Sequence, residues 1–461
     1  MGLCYFAAAP CLGLMVLATA CAGPPGPRSL YPIGGDQFSL IDPGPPAPEA
    51  PPLACQGPRS RWFECLFEDL RLRLDRAGVT GAVAIVDREA GVQMDIHGPA
   101  DGPPLTPDAR FAVGSISKTV LALTTLSLVE EQTLDLKAPI SRYLPQLTVA
   151  PVGAATLHQL LSHTAGLPPG LPHTLPCASL RSLAELPSHL EAVALFTAPG
   201  TVHSYSNLGY GLIAAVIERV TAAPFEEVVR TRVLWPAGMT TATYDADAPG
   251  PKVLGGRGAR PMCRVDLPSG GLWASIRDVT QLLQVLRAGG RPLVRPESLQ
   301  AMQAAQAPTG TGEHDGYGYG VIRTQVGSEP LLLHTGALPH FAGLWALFPQ
   351  QQFGVVVLVN TNKIPMGTML RAGQLFVGVP AASPSSARPP EQWSRYVGHY
   401  EDERGRLGTV AVVLEAGRLQ IRFVGQEPAE GLPPRVTFLP PSGEHAQFVV
   451  TPLGVAQRTS E

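Results

Sequence analysis

The stretch Phe111-Ala-Val-Gly-Ser115-Ile-Ser-Lys118-Thr-Val-Leu-Ala-Leu-Thr-Thr-Leu-Ser-Leu-Val129 constrains the fold more than any other part of the chain. Gly114 ends an extended approach. Val120, Leu121, Leu123, Leu126, Leu128 and Val129 then leave almost no polar side, so the segment reads as a turn running into a helix enclosed by the rest of the protein. Ser115 and Lys118 sit three apart, on one face of that helix, which sets an ammonium beside a hydroxyl in an apolar setting. A serine hydroxyl is a poor nucleophile until a base takes its proton. Burial disfavours the charged form of lysine and lowers its pKa, which suits Lys118 to be that base. A capping serine with a lysine snorkelling out of the helix would produce the same loose pattern. Composition counts against that plainer reading, because only four lysines accompany thirty arginines.

Two further stretches extend the pattern. Tyr205-Ser-Asn207 follows the turn Ala198-Pro-Gly-Thr-Val-His-Ser204 and leads into a helix from Leu208 to Val220, and His334-Thr335-Gly336 ends the strand-like run Leu331-Leu-Leu. Alone, Tyr205 reads as a half-buried tyrosine and His334 as a satisfied strand histidine. In this order, Ser-x-x-Lys, Tyr-x-Asn and a basic residue before Thr-Gly resemble the serine β-lactamase and penicillin-recognising family. The likeness is greatest to its class C branch, with the D-alanyl carboxypeptidases, esterases and β-lactamase-like proteins that share it. Thr133–Pro145, Leu157-His-Gln-Leu-Leu-Ser-His163-Thr-Ala-Gly166-Leu-Pro168, Trp235-Pro-Ala-Gly-Met239 and Ser269-Gly-Gly-Leu-Trp-Ala-Ser-Ile-Arg-Asp278 match further stretches, so the resemblance runs from residue 78 to residue 375.

The resemblance implies an α+β chain with the serine β-lactamase-like fold: an antiparallel sheet flanked by helices, a helical subdomain beside it, and a short C-terminal β-rich tail domain. The expected organisation is a signal peptide or signal anchor over residues 1–22, a Pro/Gly-rich linker over 23–53, a β-lactamase-like serine hydrolase domain over 54–380, a linker over 381–392 and a small β-rich domain over 393–461. Carried onto matching positions, the family's roles make Ser115 the nucleophile, Lys118 and Tyr205 its proton acceptors and relay, and Asn207 the group that holds Lys118 and the substrate amide. The backbone N–H groups of Ser115 and Ala337 would face the oxyanion, with Thr335 and Gly336 lining the substrate strand. His334 departs from the lysine usual in β-lactamases of this type, because histidine is mostly neutral near pH 7 and gains charge just below it. The implied function is therefore a serine hydrolase acting through an acyl-enzyme on a small-molecule or peptide substrate with a peptide, amide or ester bond, and not an efficient β-lactamase. The competing reading is a catalytically silent binding or scaffold protein. An α/β-hydrolase is disfavoured, since no Gly-x-Ser-x-Gly elbow occurs.

Elsewhere the chain is read from its residues. Leu3 to Ala22 carries no charge and is long enough to cross a bilayer or to act as a secretory h-region, with Ala18-Thr-Ala20 as a cleavage site. A cleaved signal, an uncleaved anchor and a lipidated Cys21 all send the catalytic part out of the cytosol, secreted or membrane-anchored. Arg61–Arg76 has a helical apolar period, and Thr80–Val86 with Gly91–Ile96, and Gly343–Phe348 with Phe353–Val359, read as hairpins. Pro168 to Pro199 shows no period and reads as a long surface loop, or as an insertion over the cleft. His163 is expected to fix the Thr164-Ala-Gly-Leu turn, and Arg277-Asp278 to be a surface pair. Of seven cysteines, Cys55, Cys65, Cys177 and Cys263 lie beyond the leader. They permit two disulfides, with Cys55–Cys65 and Cys177–Cys263 preferred among three pairings and free thiols the alternative. No metal-ligand spacing occurs, so neither metal nor cofactor is expected. A net charge of −3 without a basic cluster argues against nucleic acid as a partner.

Overall fold

The structure, a computed structural model, describes residues 30–33, 58–98, 105–148, 150–170, 180–190, 193–254, 262–309, 315–362, 366–378, 396–401, 409–415, 418–424, 437–439, 446–451 and 454–459. Its centre is an eight-stranded sheet in the order Gly91–His97, Gly81–Asp87, Phe353–Val359, Phe341–Phe348, Glu329–Leu338, Ile322–Val326, Gly316–Tyr317, Ala307–Pro308, with every pairing antiparallel. Both expected hairpins are there, and the first and last parts of the chain meet where Gly81–Asp87 pairs with Phe353–Val359.

These two strands and Phe341–Phe348 are buried at every position, because the sheet is covered on both faces. The period of two sorts their side chains. Val83, Ile85, Leu344, Ala346, Val355 and Val357 face the helix Arg59–Ala77 through Leu66, Leu70 and Leu74. Ala84, Val86, Trp345, Leu347, Val356 and Leu358 face the opposite core, which includes the helices Ser117–Glu130, Asn207–Thr221 and Ile276–Arg287. The α+β class and the helical region beside the sheet result from this division.

Several expectations are corrected. The segment before Tyr205 is not a surface loop: Leu180, Leu183, Leu186, Leu190, Val193 and Leu195 are all buried, and the 3-10 turn Leu183–His189 packs on the helix Asn207–Thr221. Irregular 3-10 turns bury leucines without a 3.6-residue period, which is why the sequence shows none. Part of the region read as a spacer is a strand, Leu30–Ile33, paired with Arg418–Val424. It lies at the edge of a second, seven-stranded sheet, where a proline does not interrupt a ladder on both sides. The remaining strands of that sheet come from the C-terminal part, and Phe448 packs against Phe196 and Val202. Cys65 carries a free thiol, so the expected Cys55–Cys65 bridge does not form. Cys263 is disulfide-bonded. Cys55 and Cys177, like the apolar leader, lie outside the described residues. Among the described residues no single helix is long and apolar enough to cross a membrane.

Asp278 is a core residue with 1 % exposure, whereas Arg277 reaches Asp108 at 2.7 Å. The Asp278 carboxylate accepts from the backbone N–H of Ser275 at 2.9 Å and its hydroxyl at 2.8 Å, and from the N–H and hydroxyl of Thr241. Ser275 in turn caps the Asp278 N–H, closing a capping box on the helix Ile276–Arg287. Asp278→Ala leaves several buried donors without an acceptor and is expected to lower unfolding free energy by about 2–4 kcal/mol. Chemical denaturation would read the loss; a change under about 0.5 kcal/mol, the size of an ordinary surface substitution, would contradict this role.

Candidate active site

The turn that carries Ser115 is set by backbone closeness. Arg110–Ala112 pairs with Trp273–Ser275, Val113 N–H donates to Leu272 O at 3.0 Å, and the chain turns at Gly114 with φ 54° before the 3-10 turn Gly114–Ile116. Ser117 and Thr119 anchor the start of the helix Ser117–Glu130. The Ser117 hydroxyl donates to Gly114 O at 2.6 Å and accepts from Leu272 N–H at 3.1 Å. The Thr119 hydroxyl donates to Gly320 O at 2.7 Å and accepts from Trp345 Nε1–H at 3.3 Å. The beginning of a helix with almost no wet face is thereby tied to both neighbouring segments, and Ser115 and Lys118 are carried beside these anchors. Neither anchor was singled out from the sequence, although small hydroxyl residues in an apolar helix are the available signal.

Lys118 is completely buried. Its Nζ lies 2.8 Å from Asn207 Oδ1, 2.9 Å from Ser269 O and 3.1 Å from Ser115 Oγ. Burial holds its pKa well below the ordinary lysine value, only partly opposed by the charge of Asp266. The carboxyl of Asp266 is itself pushed up by burial, with Lys118 pulling it down. An amide oxygen and a carbonyl can only accept, so in the neutral amine two N–H bonds are committed to them. The lone pair is then left for the Ser115 O–H. Ser269 O and Asp266 were not expected from sequence; the Ser269-Gly-Gly-Leu-Trp stretch, matched as a landmark, was the only pointer to them.

The Tyr205 segment is braced by His163. The Nδ1 of His163 accepts from Ser206 N–H at 3.1 Å and its carbonyl accepts from Ser204 N–H at 2.7 Å, so one residue grips the chain on both sides of Tyr205. The contacts of His163 therefore go to the Tyr205 segment, a role that the expectation from sequence, fixing the Thr164-Ala-Gly-Leu turn, does not include. His163 is itself held at φ 59°, and its ring lies 4.2 Å from that of Tyr205 and 4.6 Å from that of Tyr317. Tyr205, 37 % exposed, presents its ring 4.7 Å from Lys118 Nζ. Ser206 caps the next helix by accepting from Gly209 N–H at 3.3 Å, which sets Asn207 at its first turn, beside Lys118.

His334 differs most from expectation. It is 1 % exposed, and burial first, then the nearby Lys118, lower its pKa to about 3. It therefore stays neutral throughout the range where a free histidine titrates, and the gain of charge just below pH 7 does not occur. The strand beyond it runs against the nucleophile turn. A Cβ on Gly336 would fall 1.9 Å from Val113 O and 3.0 Å from Ser115 N, and one on Gly114 would fall 2.9 Å from Ala337 N. The backbone nitrogens of Ser115 and Ala337 thus border one narrow gap, with both glycines required by the approach.

A family model described as Beta-lactamase matches residues 67–377. Protein flp of Staphylococcus aureus (strain NCTC 8325 / PS 47) is 25% identical over 271 residues, covering 56% of this chain and 54% of its own, so the chain spans about half the length of that curated relative. Protein Rv1367c of Mycobacterium tuberculosis (strain ATCC 25618 / H37Rv) is 27% identical over 342 residues, 59% of this chain and 83% of that one. Among solved structures, SurE with D-Leu aligns at TM-score 0.66 with 23% identity over 88% of this chain and 100% of that one. A class C beta-lactamase aligns at 0.61 with 18% identity over 70% and 98%. The structural likenesses establish the fold.

This geometry has two measurable consequences. His163 and His334 are both held neutral in the folded state, with pKa values depressed below the ordinary 6.5. The stability they contribute is complete above about pH 6.5 and is lost as pH falls toward the folded values, at about 1.4 kcal/mol per pH unit for each. Melting temperature should therefore drop steadily from about pH 6.5 to about pH 4.5, and His334→Gln should flatten the slope; a flat wild-type profile would contradict it. Gly336→Ala should force the strand from the nucleophile turn and slow covalent labelling of Ser115 by about 100-fold or more, measured by time-resolved mass spectrometry. Labelling at the wild-type rate would show that the close approach does not matter.

Proposed function

Because the chain belongs to the beta-lactamase family, we propose that it is a serine hydrolase that cleaves a peptide, amide or ester bond through an acyl-enzyme on Ser115. The observation that carries this reading is the buried Lys118 amine, committed to two acceptors and 3.1 Å from Ser115 Oγ. Lys118 takes the Ser115 proton as Oγ attacks the carbonyl carbon. Tyr205, whose ring stands beside Nζ, relays that proton to the leaving group. The N–H groups of Ser115 and Ala337 receive the oxyanion, while Asn207, its Oδ1 held by Lys118, offers Nδ2–H to the substrate carbonyl. Water then attacks the acyl carbon and releases Ser115.

The substrate is a small molecule or a peptide that does not depend on a fixed cation at position 334. A histidine that remains neutral gives a substrate carboxylate no charge to meet, which speaks against an efficient β-lactamase. We further propose that the catalytic part works outside the cytosol, as the apolar leader and the disulfide at Cys263 suit an oxidising compartment.

A fluorophosphonate and a fluorescent penicillin, applied separately, test the reading. The fluorophosphonate should give an adduct located on Ser115, absent in Ser115→Ala and formed about 100- to 10,000-fold more slowly in Lys118→Met. The penicillin should label poorly. No adduct from folded protein with either probe would favour a silent binding module instead.

A further inference from the structure

The third-motif strand loses its lateral support where catalysis would need it most. Ile322–Val326 pairs with Glu329–Leu338 only as far as the rung Ile322 to Leu333. From His334 onward the strand keeps Phe341–Phe348 on one side, with Leu338 opposite Phe341 as the last rung, while its other side meets the nucleophile turn. A backbone that carries an oxyanion donor needs to be fixed to a fraction of an ångström. What fixes it here is a side-chain bridge from a strand farther along the sheet, Gly316–Tyr317.

Tyr317 is fully buried, and its hydroxyl lies 2.9 Å from His334 Nε2. His334 Nδ1 lies 2.7 Å from Thr335 O. A carbonyl can only accept, so Nδ1 carries the proton and, in a neutral ring, Nε2 must accept from the phenol. The polarity of the chain is thereby determined: Tyr317 O–H to Nε2, then Nδ1–H to Thr335 O, two residues before Ala337. The neighbouring Tyr210 donates its O–H to Leu161 O at 3.0 Å and also shares a side-chain hydrogen bond with Tyr317, so its oxygen is a second acceptor beside the Tyr317 hydroxyl, while His334 Nε2 has that hydroxyl as its donor. The Tyr317 ring also packs 4.6 Å from His163 and 6.2 Å from Tyr205, so the residue that meets His334 also lies against the Tyr205 segment and the histidine that grips it.

We infer that Tyr317 is a positioning residue for the acylation step, its hydroxyl fixing the His334 tautomer and, through the Nδ1–H bond to Thr335 O, the backbone that carries Ala337 N–H. The inference rests on the serine-hydrolase reading for its rate consequence but not for its geometry. His334 is then the middle of a structural wire and Tyr317 its origin, which accounts for a histidine serving where a cation is usual: the position holds the strand.

The test uses the full-length chain with histidine labelled with nitrogen-15. Two-bond correlation spectra should show His334 protonated at Nδ1 alone in the wild type, and as a tautomer mixture in Tyr317→Phe, which keeps the ring and removes only the hydroxyl. Fluorophosphonate labelling of Ser115 should slow about 10-fold in Tyr317→Phe and by a similar factor in His334→Gln, with no further loss in the double variant, because both break one chain. Melting temperatures within a few degrees of wild type would separate this from unfolding. An unchanged tautomer in Tyr317→Phe, or losses that multiply in the double variant, would overturn the inference. Absence of labelling in the wild type would sink the hydrolase reading, while the tautomer spectra would still decide the bridge.

Discussion

Everything in the cleft depends on one lysine being buried without a full counter-charge. An ammonium removed from water carries a penalty of several kcal/mol even after relaxation, and Asp266, whose own ionisation is disfavoured by burial, offsets only part of it. Burial therefore favours loss of the proton, and the proposed role of Lys118 as base rests on that direction. The acceptors around Nζ then decide where the lone pair goes. Asn207 comes from one helix, Ser269 from a short helical turn 62 positions later in the chain, and Ser115 from the turn before Lys118, so the arrangement exists only in the folded protein.

The surroundings serve to keep that arrangement dry and rigid. Ser117 and Thr119 attach the helix Ser117–Glu130 to its neighbours, His163 grips the chain on both sides of Tyr205, and the glycines at 114 and 336 allow two backbones to touch. Two buried histidines with lowered pKa values are a consequence of the same dryness, since burial disfavours the charged form of each imidazole as it does that of the Lys118 amine. The lowered pKa of Lys118 and the expected sensitivity of the fold to acid therefore share one cause.

The local parts of this arrangement were legible in the sequence. A three-residue spacing on an apolar helix pointed to Ser115 and Lys118 together, and resemblance supplied Asn207 and the third-motif strand. The features that stayed hidden depended on distance or on irregular geometry. The charge state of His334 is decided by burial, and its tautomer by Tyr317, 17 residues away; no local pattern encodes either. The leucines between 180 and 195 escaped notice because 3-10 turns have no amphipathic period of their own. Asp278 is different: Ser275-Ile-Arg-Asp278 is a readable capping box, and its apparent surface pairing with Arg277 obscured it. Cys65 could not be placed because spacing alone does not choose among disulfide pairings.

The central claim is that Lys118 is the base because burial lowers its pKa, and titration of the lysine amines tests it most directly. With only four lysines in the chain, carbon-13 labelling at Cε gives few enough signals to assign Lys118 by its loss in Lys118→Met. In the folded full-length protein, the Lys118 signal is predicted to titrate at a pH well below the other three. A Lys118 signal that titrates together with the exposed lysines would mean that the amine remains an ammonium at neutral pH, and would contradict the claim at its foundation.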